Sequence, residues 1–380
     1  MADTRLMNSA GIKGRKMKGT ERALTDLDSL VVQVKNNCNI SDARYAGLYS
    51  VCGLALRLRD LYKWEMNLRP WEERDPSEVL AWIGEREELW EGLADHDLAP
   101  IEVSGVTYDP FDQASINGLL EGQGLIYGAG YVHGLKPSFF LADLEEKRRV
   151  DGYPVYILGR ELARDLLTVP ALSQDDCVLI RRVSGELYLW DQIFMIGKSG
   201  REALRFALGA LGIEEKDNRS VRRNLSKIFA HEIDSYIRHE IGGLEDEIFG
   251  RRVWQGIIAS FPHTSIEIFA RAVKDLLADT HCFGTLRYIE RKRKSASLGF
   301  YVAFLGGLTG ELFPELFHAF RDFSRTGDWK TVRKAIAKGY DRARGYALKM
   351  VEIYGRGKER GDLGWAAREI RRLLLAPLGI

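Results

Sequence analysis

Val178–Ile193 reads VLIRRVSGELYLWDQI, and its reading decides where a β-containing chain becomes a helical one. The first six residues form a short apolar, β-branched run of strand type. Ser184-Gly185 separates VLIRRV from ELYLWDQI, which suggests a hairpin. A helix through Leu187–Met195 is the alternative, because a run this short has no period that tells strand from helix. Upstream, residues 100–195 gain Gly, β-branched and aromatic residues, with candidate strands at Ile101–Tyr108, Leu125–Val132, Tyr153–Leu158 and Val178–Val183. Downstream of Gly200 the pattern is helical and well punctuated. Gly242-Gly243 ends one helix and Pro262-His263-Thr264 starts another. Gly306-Gly307, Pro314, Gly327-Asp328, Gly355 and Gly361 mark the later connections.

Further back, from Thr25 to about Asp95, helices are expected. Ser41-Asp42 fits an N-cap, followed by Tyr45, Leu48, Cys52, Ala55 and Tyr62 near helical spacing. Asp75-Pro76-Ser77-Glu78 is a second start, with Asp as cap, Pro in the first turn and Glu three residues after the cap. The fold class is therefore α+β: a helical N-terminal segment, a small β-containing middle region and an all-helical C-terminal half. The expected division is a flexible basic tail at 1–20, a mixed helical and β-containing domain at 21–197 and a helical domain at 198–380.

Composition sets limits on function. The 380 residues hold 55 Lys and Arg against 54 Asp and Glu, a net charge of +1, so there is no global pull toward nucleic acid or membrane. Cys38, Cys52, Cys177 and Cys282 form no CxxC pair, which points to a reducing compartment, the cytoplasm, and away from a zinc ribbon. The most apolar stretch, Ser295–Gly310, is shorter than the roughly 18 residues of a spanning helix, so no membrane contact is expected. Gly197-Lys198-Ser199 resembles the end of a phosphate-binding loop, but Gln192 stands where that loop needs its first Gly. In Gly128–Gly134, His133 occupies the place of the third glycine of a dinucleotide fingerprint. No nucleotide or redox cofactor is indicated.

One constellation has chemical content. On a helix, His231, Glu232, Ser235 and His239 fall within about one quadrant at roughly 100° per residue. Glu232 and His239 lie about 10 Å apart along the axis, too far to share an ion without ligands from another helix. The next helix offers Asp279 and His281 at its end, with Asp275 one turn earlier. His231, Glu232, His239, Asp279 and His281 are thus the candidate ligands of a divalent metal ion or members of an acid/base site of hydrolase type. Arg238, Arg271 and Asp275 are the candidate charge partners. A helix with one solvated polar face, or a histidine capping a helix end, would give the same pattern.

The last helices offer a different function. From Trp329 onward thirteen Lys and Arg face five Asp and Glu, a surplus of eight, so the rest of the chain is acidic. Residues 329–380 could then hold nucleic acid or an acidic protein by a weak, salt-dependent contact. The two expectations are a metal-binding or acid/base enzyme and a non-enzymatic interaction module.

Overall fold

The computed structural model describes residues 26–132, 135–213 and 218–380, so the basic tail expected at 1–20 lies outside it. Three helices open the described chain: α1 Leu27–Tyr45, α2 Val51–Glu65 and α3 Pro76–Glu91. Asp75 caps α3 as expected, its carboxylate accepting from Ser77 N–H at 2.8 Å. Ser41 and Asp42 do not start a helix. They sit buried inside α1, where Ser41 donates to the carbonyl of Pro137 and Asp42 meets Lys136, and the cap of α2 is Ser50.

A short hairpin follows, β1 Ile101–Val103 and β2 Val106–Tyr108, then α4 Gln113–Leu120. The run Ile101–Tyr108 breaks in two because Ser104 and Gly105 both take positive φ, the turn that matches strand twist. The main sheet comprises β3 Leu125–Val132, β4 Lys136–Val150, β5 Tyr153–Arg164, β6 Ala171–Gln174 and β7 Cys177–Arg181. Its spatial order is β3-β4-β5-β7-β6, with β5 and β7 parallel and the other pairs antiparallel. β4 carries no clear alternation because its second half, LEEKRRV, is largely exposed, while its first half is buried throughout.

The hairpin expected at Ser184-Gly185 is not formed. β7 ends at Arg181 and α5 Arg182–Phe194 begins at once. Ser184 is drawn into the first turn by its hydroxyl, which donates to Glu161 Oε1 at 2.8 Å. Gly185 is needed because a Cβ there would lie 2.2 Å from the ring of Phe229. The remaining helices are α6 Arg201–Ala210, α7 Asn218–Leu244, α8 Arg251–Ser260, α9 Ser265–Thr280, α10 Thr285–Lys292, α11 Ser295–Phe304, α12 Gly307–Leu312, α13 Pro314–Thr326, α14 Trp329–Glu359 and α15 Leu363–Ile370. The class is α+β, with a helical N-terminus, a sheet in the middle and a helical C-terminal half. Among the described residues no helix is long and apolar enough to cross a membrane.

Alternate side chains of the sheet serve different cores. Tyr127, Phe139 and Leu141 pack under α1 and α4 with Leu30, Val34 and Ile116. At the other end of the same sheet, Val155, Ile157, Val178 and Ile180 join the large core of the helical half, beside Leu189, Phe229 and Ile233. The opposite face gathers Ile126, Phe140, Leu158, Leu172 and Leu179. Between α1 and the sheet lies a buried ionic network. Lys136 Nζ donates to Asp42 Oδ1 at 2.8 Å and to Asp165 Oδ2 at 3.3 Å. Arg181 Nε donates to Glu161 Oε1 at 2.7 Å.

Candidate functional site

The helices that carry the candidate residues meet because of two glycines. A Cβ on Gly242 of α7 would lie 2.1 Å from the carbonyl oxygen of Ala278 in α9, and one on Gly284 would lie 2.0 Å from the same oxygen. Without side chains there, α7 and the end of α9 approach backbone to backbone. His239, one turn before Gly242, then faces Asp279. Its Nδ1 stands 2.8 Å from Asp279 Oδ1, and the hydroxyl of Tyr301 on α11 donates to Asp279 Oδ2 at 2.8 Å.

Asp279 is buried, while the His239 side chain keeps 37% of its surface exposed. Burial alone would lower the His239 pKa, but the facing Asp279 carboxylate overrides it and holds the ring up to about 10. At neutral pH the pair is therefore an imidazolium bonded to a carboxylate. An imidazolium has no free lone pair, so this ring is poorly set as a general base or as a metal ligand. The linked stability has a definite sign. It is fully present below about 6.5, the ordinary value, and is lost as pH rises toward about 10. The Tm difference between the parent chain and His239→Gln should shrink steadily over that range. Parallel pH profiles for the two would show that the pair carries no proton linkage.

The other candidates are held elsewhere. Glu232 is buried on α7 and accepts from Ser297 Oγ at 2.7 Å, and burial pushes its carboxyl up. His231 Nε2 is 3.7 Å from Glu232 Oε1, and burial with the nearby Lys294 ammonium pushes the ring down, so it stays neutral. His281 ends α9, its N–H donating to the Leu277 carbonyl at 2.8 Å and its ring lying beside Phe283 and Tyr340. Arg238 pairs with Asp151 in the turn between β4 and β5 and Arg271 pairs with Glu267 within α9, whereas Asp275, one turn before Asp279, stays close enough for its charge to act on His239, and burial pushes its carboxyl up. The structure thus joins His239 to Asp279 and adds Tyr301, whose place no spacing along α7 or α9 announces. Among the described residues no group of three or more His, Cys, Asp or Glu side chains could hold a metal ion.

The basic region has a clearer geometry than its sequence suggested. Several of its cations are neutralised: Arg342 by Glu315, Lys349 and Arg356 by Glu352, and Arg372 by Glu369. Lys330, Lys334, Lys338 and Arg344 of α14 are exposed and have no ion-pair partner among the described residues. The end of α10 lies beside them. Glu290, buried, accepts from Arg333 Nη2 at 2.6 Å and stands 3.6 Å from Arg293, whose guanidinium lies 5.5 Å from the Trp329 ring centre. Arg291-Lys292-Arg293 therefore adjoins the first turns of α14, and the run Glu290–Lys294 (ERKRK) is the signal that could have found it.

Residues 29–181 match the N-terminal domain, and residues 186–373 the C-terminal domain, of a family of unknown function (DUF6866). No curated protein and no solved structure matches the chain.

Proposed function

We propose that this chain, which belongs to the DUF6866 family through both of its domains, binds nucleic acid by its phosphates along the face shared by α10 and α14. The observation that carries the reading is the row Lys330, Lys334, Lys338, exposed and making no ion pair within 4 Å among the described residues, although Lys338 lies near enough to Glu315 to act on it, beside Arg291 and Lys292 from a separate helix. Four-residue steps on a helix place such cations about 6 Å apart along the axis. A row of cations free of close ion pairs fits a chain of phosphates better than the mixed surface of an acidic protein. Nothing in the row reads base edges, so the affinity is sequence-tolerant.

The test is binding to a fluorescent duplex and to a single strand across a salt series. Neutralising four or five phosphates predicts a log–log slope of about −4. The Lys330→Glu/Lys334→Glu/Lys338→Glu chain should bind about 100-fold more weakly or worse at ~50 mM salt, while Lys198→Glu should bind as the parent does. No binding at that salt, or binding that ignores salt, would sink the proposal.

A hydrolase-like acid/base site, with or without a divalent ion, is the second reading, supported by the ordered His239–Asp279–Tyr301 contacts. It requires His239 to lose its proton. Elemental analysis for Zn, Mn, Fe and Ni on the parent chain and on His239→Ala/Asp279→Ala tests its metal version, and an NMR titration of His239 tests whether the ring can lose its proton near neutral pH.

A further inference from the structure

α10 and α14 lie side by side and run in opposite directions. Glu290, near the end of α10, meets Arg333 in the first turns of α14, while His281, just before α10, has its ring centre 6.4 Å from that of Tyr340 further along α14. Arg333, Tyr340 and Arg344 follow one another by about two turns and then one, so they share the flank of α14 on the side of α10.

The seam between the two helices ends in a short row of rings. Phe283 lies 5.8 Å from the His281 ring centre, and its N–H donates to His281 Nδ1 at 3.4 Å. Gly284 N–H donates to the His281 carbonyl at 2.9 Å, and a Cβ on Gly284 would meet the Ala278 carbonyl oxygen at 2.0 Å, so the turn is pinned against α9. Tyr340, His281 and Phe283 therefore lead outward from α14, and the outermost keeps 36% of its surface exposed. Cations stand on both helices beside the rings. Arg287 and Arg291 follow Phe283 at one-turn steps, and Arg344 follows Tyr340 by one turn. None of these three arginines makes an ion pair within 4 Å among the described residues.

We infer that the face shared by α10 and α14 takes single-stranded rather than duplex nucleic acid, with an unpaired base stacked on Phe283 and the flanking phosphates on Arg287, Arg291 and Arg344. The choice of strand rests on the proposed function, since without phosphate binding the rings have nothing to receive. A duplex hides its base faces within its own stack, whereas a single strand splays them onto aromatic rings. Every base has a π-face, so stacking here is as tolerant of sequence as the phosphate contacts are. A ring held in place by its turn loses little freedom when a base lands on it. Phosphate attraction alone favours the duplex, whose charge is denser, so a preference for the strand isolates what the ring contributes.

The probes are an oligothymidine strand, an abasic strand and a duplex, all of equal length, read by fluorescence anisotropy at ~50 mM salt. The parent chain should bind oligothymidine at least as tightly as the duplex and about tenfold more tightly than the abasic strand. Phe283→Leu keeps an apolar side chain without the ring and should lose most of that gain, while Phe283→Trp should keep it. Both substitutions are at the surface, and both chains should melt close to the parent. A parent chain that prefers the duplex overturns the inference, and so does Phe283→Leu binding oligothymidine as the parent does. In either case, salt-steep duplex binding that is lost in Lys330→Glu/Lys334→Glu/Lys338→Glu leaves the proposed function standing. No binding of any probe overturns both.

Discussion

Lys136→Ala is expected to cost about 3–5 kcal/mol in urea unfolding, the range for breaking a buried ion pair on one side. The ammonium is fully buried between Asp42 and Asp165, which are equally buried. Burial alone would lower its pKa, but the two carboxylates raise it above the ordinary lysine value. Asp42 feels burial even with the lysine present, its carboxyl being pushed up to about 6. Removing the lysine leaves two carboxylates facing each other out of water, and one must take up a proton or the region must open. Lys136→Met combined with Asp42→Asn and Asp165→Asn should recover most of the loss, since neutral groups of similar size need no counter-charge. A single-site loss below about 1 kcal/mol would mean that water reaches the network.

Gly242→Ala is the second large expected effect, and its sign is opposite to the usual one. Alanine in a helix is normally favoured over glycine by about 1 kcal/mol, and Gly345, with nothing within 4 Å of a built Cβ, should show that gain. At Gly242 the new methyl would meet the Ala278 carbonyl oxygen at 2.1 Å and its carbon at 2.9 Å, both backbone atoms of α9. The helices must separate, at a cost of about 3 kcal/mol, the upper part of the overpacking range. Separation also lengthens the His239–Asp279 contact, so the imidazole should titrate lower than about 10 and closer to its ordinary 6.5. Denaturant unfolding and an NMR titration of the ring read the two consequences. A Gly242→Ala chain as stable as the parent, with an unmoved His239 titration, would refute the close approach.

The punctuation of the helical half is legible because each mark is local chemistry. Thr264 caps α9 with Glu267 N–H at its hydroxyl, Pro314 sits in the first turn of α13, and Gly327 in left-handed φ precedes the Asp328 cap of α14. Leu125–Val132 is likewise recovered as β3 with the bounds that its residues suggest. Gly242-Gly243 marks the end of α7, which closes one residue later at Leu244, but nothing local announces that the missing side chain of Gly242 also makes room for α9. Ser184-Gly185 misleads: its turn chemistry is overridden by Glu161 and Phe229, which arrive from distant parts of the chain. β4 and the Asp42–Lys136–Asp165 network were illegible for a related reason. Lys136 and its neighbours read as ordinary surface charge until residues 94 and 29 positions away in sequence enclose them. Among the candidate site residues, spacing could place His239 and Asp279 on helix faces, but only tertiary contact brings them together and adds Tyr301.

The apolar side chains that β5 and β7 send into the helical core have a consequence for synthesis. Val155, Ile157, Val178 and Ile180 are complete in sequence by residue 180, yet α5 and α7, which cover them, end only at Phe194 and Leu244. At a translation rate of about 5–20 residues per second, the stretch from Arg181 to Leu244 takes about 3–13 s to emerge. For that interval the nascent sheet carries an uncovered sticky face beside open strand edges. A ribosome-associated chaperone would have its longest opportunity there, and a stall anywhere between Arg181 and Leu244 would leave a folded but aggregation-prone fragment.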